Sequence, residues 1–256
     1  MGLGCHGRGL HNDGFDDIFI TYWGRNVLYR NDGEANFTDV TLAARLGVET
    51  RFTAWGAGMA DFDNNGFPDL FVVSGSVYPG LERKLPRYPN KTPRLLYRNL
   101  GGGKFEQLTE EAGPAVAEEH SSRGCAFGDF DNDGDMDILV INVNEPPSLL
   151  RNDVSGSGHW IKVLLIGTKS NRSAIGSRVT AHYGGKIQAQ EVLAQASYYS
   201  VNDRRLHFGL GDAETAKLEI RWTNGATETL TDVLADRLVV IREGEGIIRS
   251  EHFGSG

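Results

Sequence analysis

The hydrophobic positions of this chain fall in short runs rather than in long helical stripes. Apolar and β-branched residues cluster in brief segments, separated by turns rich in glycine, asparagine and aspartate. Short runs of this composition between turn residues are typical of β-strands. The clearest runs lie at 17–20, 69–73, 137–141, 160–166, 178–182, 188–192, 217–222, 227–231 and 237–241. We therefore predict an all-β protein, and the 33 glycines among 256 residues agree with many tight turns.

The first part of the chain repeats itself. A Leu-Tyr-Arg-Asn block at 28–31 recurs at 96–99 and, as Leu-Leu-Arg-Asn, at 149–152. Each block follows an apolar run, and each run follows a loop of Asp, Asn and Gly. The first two blocks are followed by a second shared segment, at 37–41 and 105–109. A unit of roughly 50–70 residues built from short strands indicates propeller blades more than a solenoid.

The pattern changes near residue 156. The Asp-rich loops stop, strand-like runs continue, and Asn224-Gly225 between two such runs is a strong hairpin signal. We predict two domains: 1–155, with about three repeats of which the first is degenerate, and 156–256, a small β-sandwich or barrel. Within the second repeat, the Pro/Tyr/Lys/Arg-rich stretch between Ser76 and Thr92 is predicted to be a surface insertion.

Three nine-residue loops carry the candidate chemistry, and we number them loop 1 (9–17), loop 2 (61–69) and loop 3 (129–137). Loops 2 and 3 have oxygen-bearing side chains at positions 1, 3, 5 and 9 and Gly at position 6, while position 7 offers a backbone carbonyl. Hard oxygen ligands in this number suit Ca²⁺. The predicted ligands are Asp61, Asp63, Asn65, Phe67 and Asp69 in loop 2, and Asp129, Asp131, Asp133, Asp135 and Asp137 in loop 3. We expect about two Ca²⁺ ions per chain.

Two alternatives to these calcium sites are an EF-hand and an Asx-rich turn that binds no ion. An EF-hand needs Glu at position 12 and a following helix, whereas Val72 and Val140 stand there and strands follow. The second alternative, an Asx-rich turn that binds no ion, is left open by the sequence. Loop 1 has Gly9 and His11 at positions 1 and 3, so it should bind calcium weakly or not at all. The residues before it look unlike the matching stretches of the other repeats, and a truncated N-terminus is one explanation.

At this point a family resemblance is plain. The loops resemble those of FG-GAP (VCBS) repeats, and the segments 167–179 (GTKSNRSAIGSRV) and 202–211 (NDRRLHFGLG) resemble the ASPIC/UnbV domain. In this order the two are similar to the cartilage acidic protein family and its bacterial relatives. The resemblance implies a calcium-bound propeller, often of seven blades, on secreted or surface proteins. Three repeats are too few for such a ring, so we expect a fragment or an incomplete propeller with open edges.

Charge and apolar runs limit the functional classes. The net charge of −8 argues against a nucleic-acid partner, which would require a basic face. No run reaches the ~18–20 apolar residues of a membrane span, and no signal peptide is visible ahead of the repeats. Whether Cys5 and Cys125 pair is left open.

We predict a calcium-binding, extracellular-type binding or adhesion module, secreted or at the cell surface, whose ligand is an unknown protein or carbohydrate. Calcium would be structural, and we favour no enzyme because no catalytic constellation is visible. The alternative is a calcium-dependent hydrolase, lyase or cyclase with a site in the propeller or at the domain junction, using residues such as His207, His182 or Glu191. A structural spacer is a third hypothesis. The polar stretches 171–173 and 198–205 offer a candidate binding surface in the second domain, but we predict that they are solvated loops.

Overall fold

The computed structural model describes residues 2–34, 36–47, 51–78, 80–108, 110–154 and 158–253, with backbone alone for 2–8. These residues form five β-sheets and two single-turn helices. The helices are α1 (Leu81–Lys84), inside the predicted insertion, and α2 (Pro114–Ala117). The all-β prediction is confirmed, with propeller-like repeats followed by a sandwich.

Three antiparallel sheets follow one another along the first part of the chain. The first contains β1 (Gly2–Arg8), β2 (Asp17–Tyr22), β3 (Val27–Asn31) and β4 (Phe37–Asp39). The second contains β5 (Ala54–Ala60), β6 (Asp69–Ser74), β7 (Leu95–Asn99) and β8 (Phe105–Leu108). The third contains β9 (Ser122–Gly128), β10 (Asp137–Asn142) and β11 (Ser148–Leu150). Within each sheet the strands pair in chain order.

Each repeat has one strand more than the sequence predicted. The strands β1, β5 and β9 precede the loops, and they lie next to one another in the fold. The first ten residues looked unlike their counterparts, yet β1 pairs with β2 as β5 pairs with β6 and β9 with β10. The difference in sequence does not prevent the same pairing, because strand pairing needs main-chain groups rather than a particular composition.

Apolar side chains fill the spaces between neighbouring sheets. One cluster, with Phe19 and Leu70, joins the first and second sheets, and another, with Phe71 and Phe127, joins the second and third. Equivalent positions of the second and third sheets differ in exposure, because no further described sheet packs on the third. Phe71 is completely buried, whereas its counterpart on the third sheet, Leu139, is 42% exposed. The third sheet therefore presents an open apolar face, and the three described sheets do not close a ring.

The second part of the chain is a two-layer sandwich. One layer contains β12 (His159–Ile166), β15 (Leu206–Gly211), β18 (Arg237–Arg242) and β19 (Gly246–His252). The other contains β13 (Arg178–Tyr183), β14 (Lys186–Glu191), β16 (Thr215–Arg221) and β17 (Thr227–Leu234). A single apolar core lies between the layers, and its residues come from both. The predicted hairpin at Asn224-Gly225 joins β16 to β17. The domain boundary at 155/156 stays a prediction, since 155–157 lie outside the described residues.

The structure also bears on the cysteines and on membrane-spanning helices. Cys125 is buried, and burial raises the pKa of its thiol to about 12. The side chain of Cys5 lies outside the described residues, so a pairing between the two is not addressed. Among the described residues, no helix has the length and apolar character required to span a membrane.

Candidate metal loops at the contact between repeats and sandwich

Each loop connects the first two strands of its sheet, and glycine sets its turn. Loop 1 joins β1 to β2, loop 2 joins β5 to β6, and loop 3 joins β9 to β10. The glycine at position 6 has a left-handed φ in all three loops, at 86° for Gly14, 87° for Gly66 and 105° for Gly134. Residues with a Cβ rarely adopt this conformation, whereas glycine adopts it readily. The glycine at position 6 therefore allows the same sharp turn in all three loops.

The aspartate at position 9 closes each loop. Oδ2 of Asp17, Asp69 and Asp137 accepts the N–H of the position-2 residue at 2.8, 3.0 and 2.9 Å. Oδ1 of the same carboxylates accepts the N–H of the asparagine that ends each Leu-Tyr-Arg-Asn or Leu-Leu-Arg-Asn block, at 3.0, 2.7 and 2.9 Å. Position 9 therefore ties the loop to the end of the third strand in the first two sheets, and to a residue just after that strand in the third. This holds even in loop 1, which lacks acidic side chains at positions 1 and 3.

Loop 2 brings three of its predicted ligands together. Carboxylate oxygens of Asp61, Asp63 and Asp69 lie within 4.8 Å of one another. Asp61 is buried and accepts the N–H groups of residues 65 and 66 at 3.1 and 2.8 Å. The amide oxygen of Asn65 accepts the N–H of Phe67 at 2.7 Å, so positions 5 and 7 form a tight turn beside the carboxylates.

Loop 3 forms the same group with one difference. Asp129, Asp131 and Asp137 offer carboxylate oxygens within 4.8 Å of one another, and Asp131 is exposed. Asp133 is not part of this close group, and its Oδ1 accepts the N–H of Asp135 at 2.9 Å. The predicted ligands of positions 1, 3 and 9 thus converge in both loops, while position 5 serves the turn.

The buried carboxylates carry an electrostatic cost that a cation would relieve. Burial, together with the charges of Asp61 and Asp63, raises the pKa of Asp69 well above its usual value. Burial also raises the pKa of Asp137, although N–H groups from Asn152 and the position-2 residue oppose this. A bound divalent cation would favour the charged forms of both groups.

The two carboxylate oxygens of Asp129 in loop 3 have different surroundings, and one of them fits a hard cation. Oδ1 of Asp129 is buried and has no hydrogen-bond partner among the described residues, and such an acceptor is costly unless something binds it. Its other oxygen, Oδ2, contacts the ammonium of Lys162, which is 1% exposed. Burial, and to a smaller extent the charge of Arg205, lower the pKa of Lys162 to about 7, while the charge of Asp203 opposes them. The amine of Lys162 therefore already lies beside one predicted ligand, and its lowered pKa makes it lose its positive charge more readily than an exposed lysine does.

Loop 1 holds itself together without an acidic cluster. His11, at position 3, contacts Asp17 through Nδ1 at 2.8 Å. Arg178 of the sandwich donates to the carbonyl of Gly14 at 2.8 Å and to Asp16 Oδ2 at 2.6 Å. Among the described residues, no group of three acidic or metal-ligating side chains assembles in this loop. Weak or absent calcium binding in loop 1 stays a prediction.

Loops 2 and 3 lie directly against the sandwich. Tyr183 and Gln188 donate to the carbonyl of Gly66 at 3.1 and 3.0 Å, and Arg205 donates to the carbonyl of Asp129 at 2.7 Å. A Cβ on Gly209 of β15 would overlap the Asp61 carboxylate. The 202–211 motif carries one sequence signal of this contact: its two glycines in a strand, at 209 and 211, indicate a close backbone approach.

The stretch 198–205 was predicted to be a solvated loop, and this was wrong for part of it. Directly before this stretch, Ser197 Oγ accepts the N–H of Ala57 at 2.9 Å. Asn202 Oδ1 accepts the N–H of Phe127 at 3.1 Å, and the N–H of Asp203 donates back to its carbonyl at 2.9 Å. The segment therefore satisfies backbone groups of β5 and β9 that no neighbouring strand pairs with.

The other family motif, 167–179, is built around a carboxylate. Glu243 Oε2 accepts the N–H groups of Thr168, Lys169 and Ser170 at 2.8, 2.8 and 2.7 Å, and Oε1 accepts from Asn224 at 2.6 Å. Loss of hydration would raise the pKa of Glu243, but these hydrogen bonds outweigh it and lower the pKa to about 2. The motif is thus a loop held by an ionised side chain.

Family models match both parts of the chain. The FG-GAP-like repeat model matches residues 10–72 and 90–140, and the ASPIC and UnbV model matches residues 167–248. The chain therefore carries FG-GAP-like repeats followed by an ASPIC and UnbV domain.

Among curated proteins, the chain is similar to cartilage acidic protein 1. It is 26% identical to the mouse protein over 90% of this chain and 36% of the relative. The human protein is 26% identical over 86% of this chain and 33% of the relative. The chain thus spans about a third of the length of these relatives. An Agrocybe aegerita lectin that recognises non-reducing terminal N-acetylglucosamine aligns at 13% identity over 98% of this chain and 53% of the lectin. Its TM-score of 0.36 is too low to support any argument.

Proposed function

We propose that this chain is a calcium-binding β-repeat protein of extracellular type, in which one Ca²⁺ in loop 2 and one in loop 3 are structural. One observation carries the proposal: carboxylates of positions 1, 3 and 9 converge within 4.8 Å in both loops, and these loops lie against the sandwich. An ion in such a place would neutralise buried charge at the contact between the two parts of the protein.

Each predicted ligand has a distinct task in this proposal. Positions 1, 3 and 9 supply carboxylates, position 5 supplies Asn65 or Asp133, and position 7 supplies the carbonyl of Phe67 or Asp135. Calcium would provide charge neutralisation and cross-linking of the loop, with every protein ligand an oxygen. Because Lys162 contacts Asp129, loop 3 should take up its ion less tightly than loop 2.

We further propose that the protein works as a binding or adhesion module, secreted or at the cell surface, for a protein or carbohydrate ligand. Support comes from its FG-GAP-like repeats and its similarity to cartilage acidic protein 1. The net charge of −8 disfavours nucleic acid as the ligand. The open apolar face of the third sheet is one surface on which a partner could dock.

The enzyme alternative has a specific site to consider. His207 and Glu191 both line a cavity of about 110 Å³ between the repeats and the sandwich. Sites for small molecules usually measure ~300–1,000 Å³, so this cavity is small for a substrate. His182 does not join them; it lies 3.3 Å from Glu219 on the sandwich. His207 also contacts Asn64 at 2.7 Å, a structural bond. These features favour the binding module.

Thermal unfolding with and without calcium tests the proposal. A ligand that binds only the folded state at 100 times its Kd stabilises it by ~2.7 kcal/mol per site. Wild-type protein stripped with EDTA should therefore gain melting temperature when CaCl₂ is added. Asp61→Asn should reduce that gain, whereas Asp13→Asn, the same change in loop 1, should leave it intact. A wild-type protein whose melting is unaffected by calcium would contradict the proposal.

A further inference from the structure

One polar position in the loops is not explained by ion binding. The asparagine at position 4 is present in all three loops, as Asn12, Asn64 and Asn132. Only the glycine at position 6 and the aspartate at position 9 are equally constant. Loop 1 keeps this asparagine although it has lost the acidic side chains of positions 1 and 3. A residue retained where the ligands are lost has a different task from the ligands.

The three asparagines share a backbone conformation. Their φ angles are left-handed, at 54° for Asn12, 55° for Asn64 and 61° for Asn132. Asparagine tolerates this region better than most side chains. The position is therefore fixed in the turn, and its side chain leaves the turn in an equivalent place three times.

Their side chains form a chain of contacts across the loops. Nδ2 of Asn12 donates to the carbonyl of Gly66 in loop 2 at 2.5 Å. Nδ2 of Asn64 donates to Asp135 Oδ1 in loop 3 at 2.9 Å. Loop 1 is thus bonded to loop 2, and loop 2 to loop 3, through the same position.

The same position also reaches the sandwich. Oδ1 of Asn64, which is fully buried, contacts His207 Nε2 at 2.7 Å, and its carbonyl accepts the N–H of Gly211 at 2.9 Å. Oδ1 of Asn132 accepts from Arg205 at 2.6 Å. All three sandwich partners lie in the 202–211 segment, whose sequence is the second motif of the ASPIC/UnbV resemblance.

We propose that Asn64 and Asn132 are docking residues, through which the 202–211 segment recognises loops 2 and 3, while Asn12 joins loop 1 to loop 2. The docking surface is formed by the loops of the repeats, and the 202–211 segment of the same chain binds it. A consequence rests on the proposed function: calcium in loop 2 or 3 and docking of the sandwich each favour the other, because coupling between two binding events is reciprocal.

The test removes the side chain and keeps the backbone. Asn64→Gly and Asn132→Gly preserve the left-handed turn, and Asn144→Gly is the matched control, since Asn144 is exposed with φ of 56° in a turn away from the sandwich. Arg205→Ala breaks the loop 3 contact from the sandwich side and leaves the loop sequence intact. Hydrogen exchange of β15 in EDTA and calorimetric titration with CaCl₂ are measured on the full chain.

We expect β15 to exchange faster in Asn64→Gly, Asn132→Gly and Arg205→Ala than in Asn144→Gly. We also expect the Kd for calcium to rise about tenfold, within the usual range of coupled binding. Exchange and affinity equal to those of Asn144→Gly would overturn the proposal. Faster exchange in EDTA, in a protein that takes up no calcium, would support the docking role while refuting the proposed function. Normal calcium binding together with unchanged exchange of β15 would support the proposed function and refute the docking role.

Discussion

The contact between β15 and loop 2 can be tested with a single methyl group. A Cβ on Gly209 would lie 2.5 Å from Asp61 Cγ and 2.9 Å from Asn64 Cα. Neither neighbour can easily give way. Two backbone N–H groups hold the Asp61 carboxylate at 3.1 and 2.8 Å, and Asn64 presents backbone. In Gly209→Ala, therefore, β15 must move away from the loop or Asp61 must leave its position.

Both responses have measurable sizes. Overpacking a well-filled site typically costs ~1–3 kcal/mol of unfolding free energy. Disturbing a group that supports a metal ligand typically costs ~10–100-fold in metal affinity, which is about 1.4–2.7 kcal/mol. Gly209→Ala should thus lower the melting temperature and also raise the Kd of one calcium ion, that of loop 2, with the loop 3 ion little affected.

Calorimetric titration and thermal unfolding of the full chain provide the assay, with Gly225→Ala as the control. Gly225 lies in the β16–β17 turn with φ of 87°, and a Cβ there would meet nothing within 4 Å. Alanine at this φ should cost about 1–2 kcal/mol through backbone strain alone and leave calcium affinity unchanged. The reasoning is refuted if Gly209→Ala binds both ions as the wild type does and loses no more stability than Gly225→Ala.

Three further outcomes follow from buried groups elsewhere. Glu243→Gln should lower the melting temperature at pH 7 more than Glu245→Gln; because the folded pKa of Glu243 is about 2 and its usual value is 4.5, this difference should shrink as the pH falls from 4.5 toward 2. Arg94 is buried and donates to a backbone carbonyl at 2.5 Å and a serine hydroxyl at 2.6 Å. Urea unfolding should show a loss of about 2 kcal/mol or more for Arg94→Ala, against about 0–1 for Arg98→Ala, which breaks only an exposed ion pair. Cys125, with a pKa raised to about 12, should react with iodoacetamide only after unfolding. Peptide mapping separates its label from that of Cys5, and label on Cys125 in the native protein would contradict its burial.

The sequence predicted the parts of the fold that have strong local signals. The strand after each loop, such as β6, is a continuous apolar run and was located correctly. The strand before each loop was missed because it is rich in glycine. Gly58 of β5 shows why: a Cβ there would overlap the ring of Phe127 on the third sheet. Close packing between sheets selected a residue that local propensity counts against a strand.

The residues of the candidate site could be predicted from the sequence, but the side chains of the sandwich that surround them could not. Regular spacing of Asp and Asn identified the residues of loops 2 and 3, and the structure brings positions 1, 3 and 9 together. The contacts of Lys162 and Arg205 with loop 3 join residues far apart in sequence, which no periodic pattern records. The edge strand β19 was missed for a related reason, since most of its residues are exposed and show no alternation.

The central claim is that loops 2 and 3 bind calcium, and calcium titration calorimetry on EDTA-stripped protein tests it most directly. The account predicts uptake of about two Ca²⁺ ions per chain, with one lost in Asp61→Asn and the other in Asp129→Asn. A folded protein that takes up no calcium would contradict the account and leave both loops as Asx-rich turns.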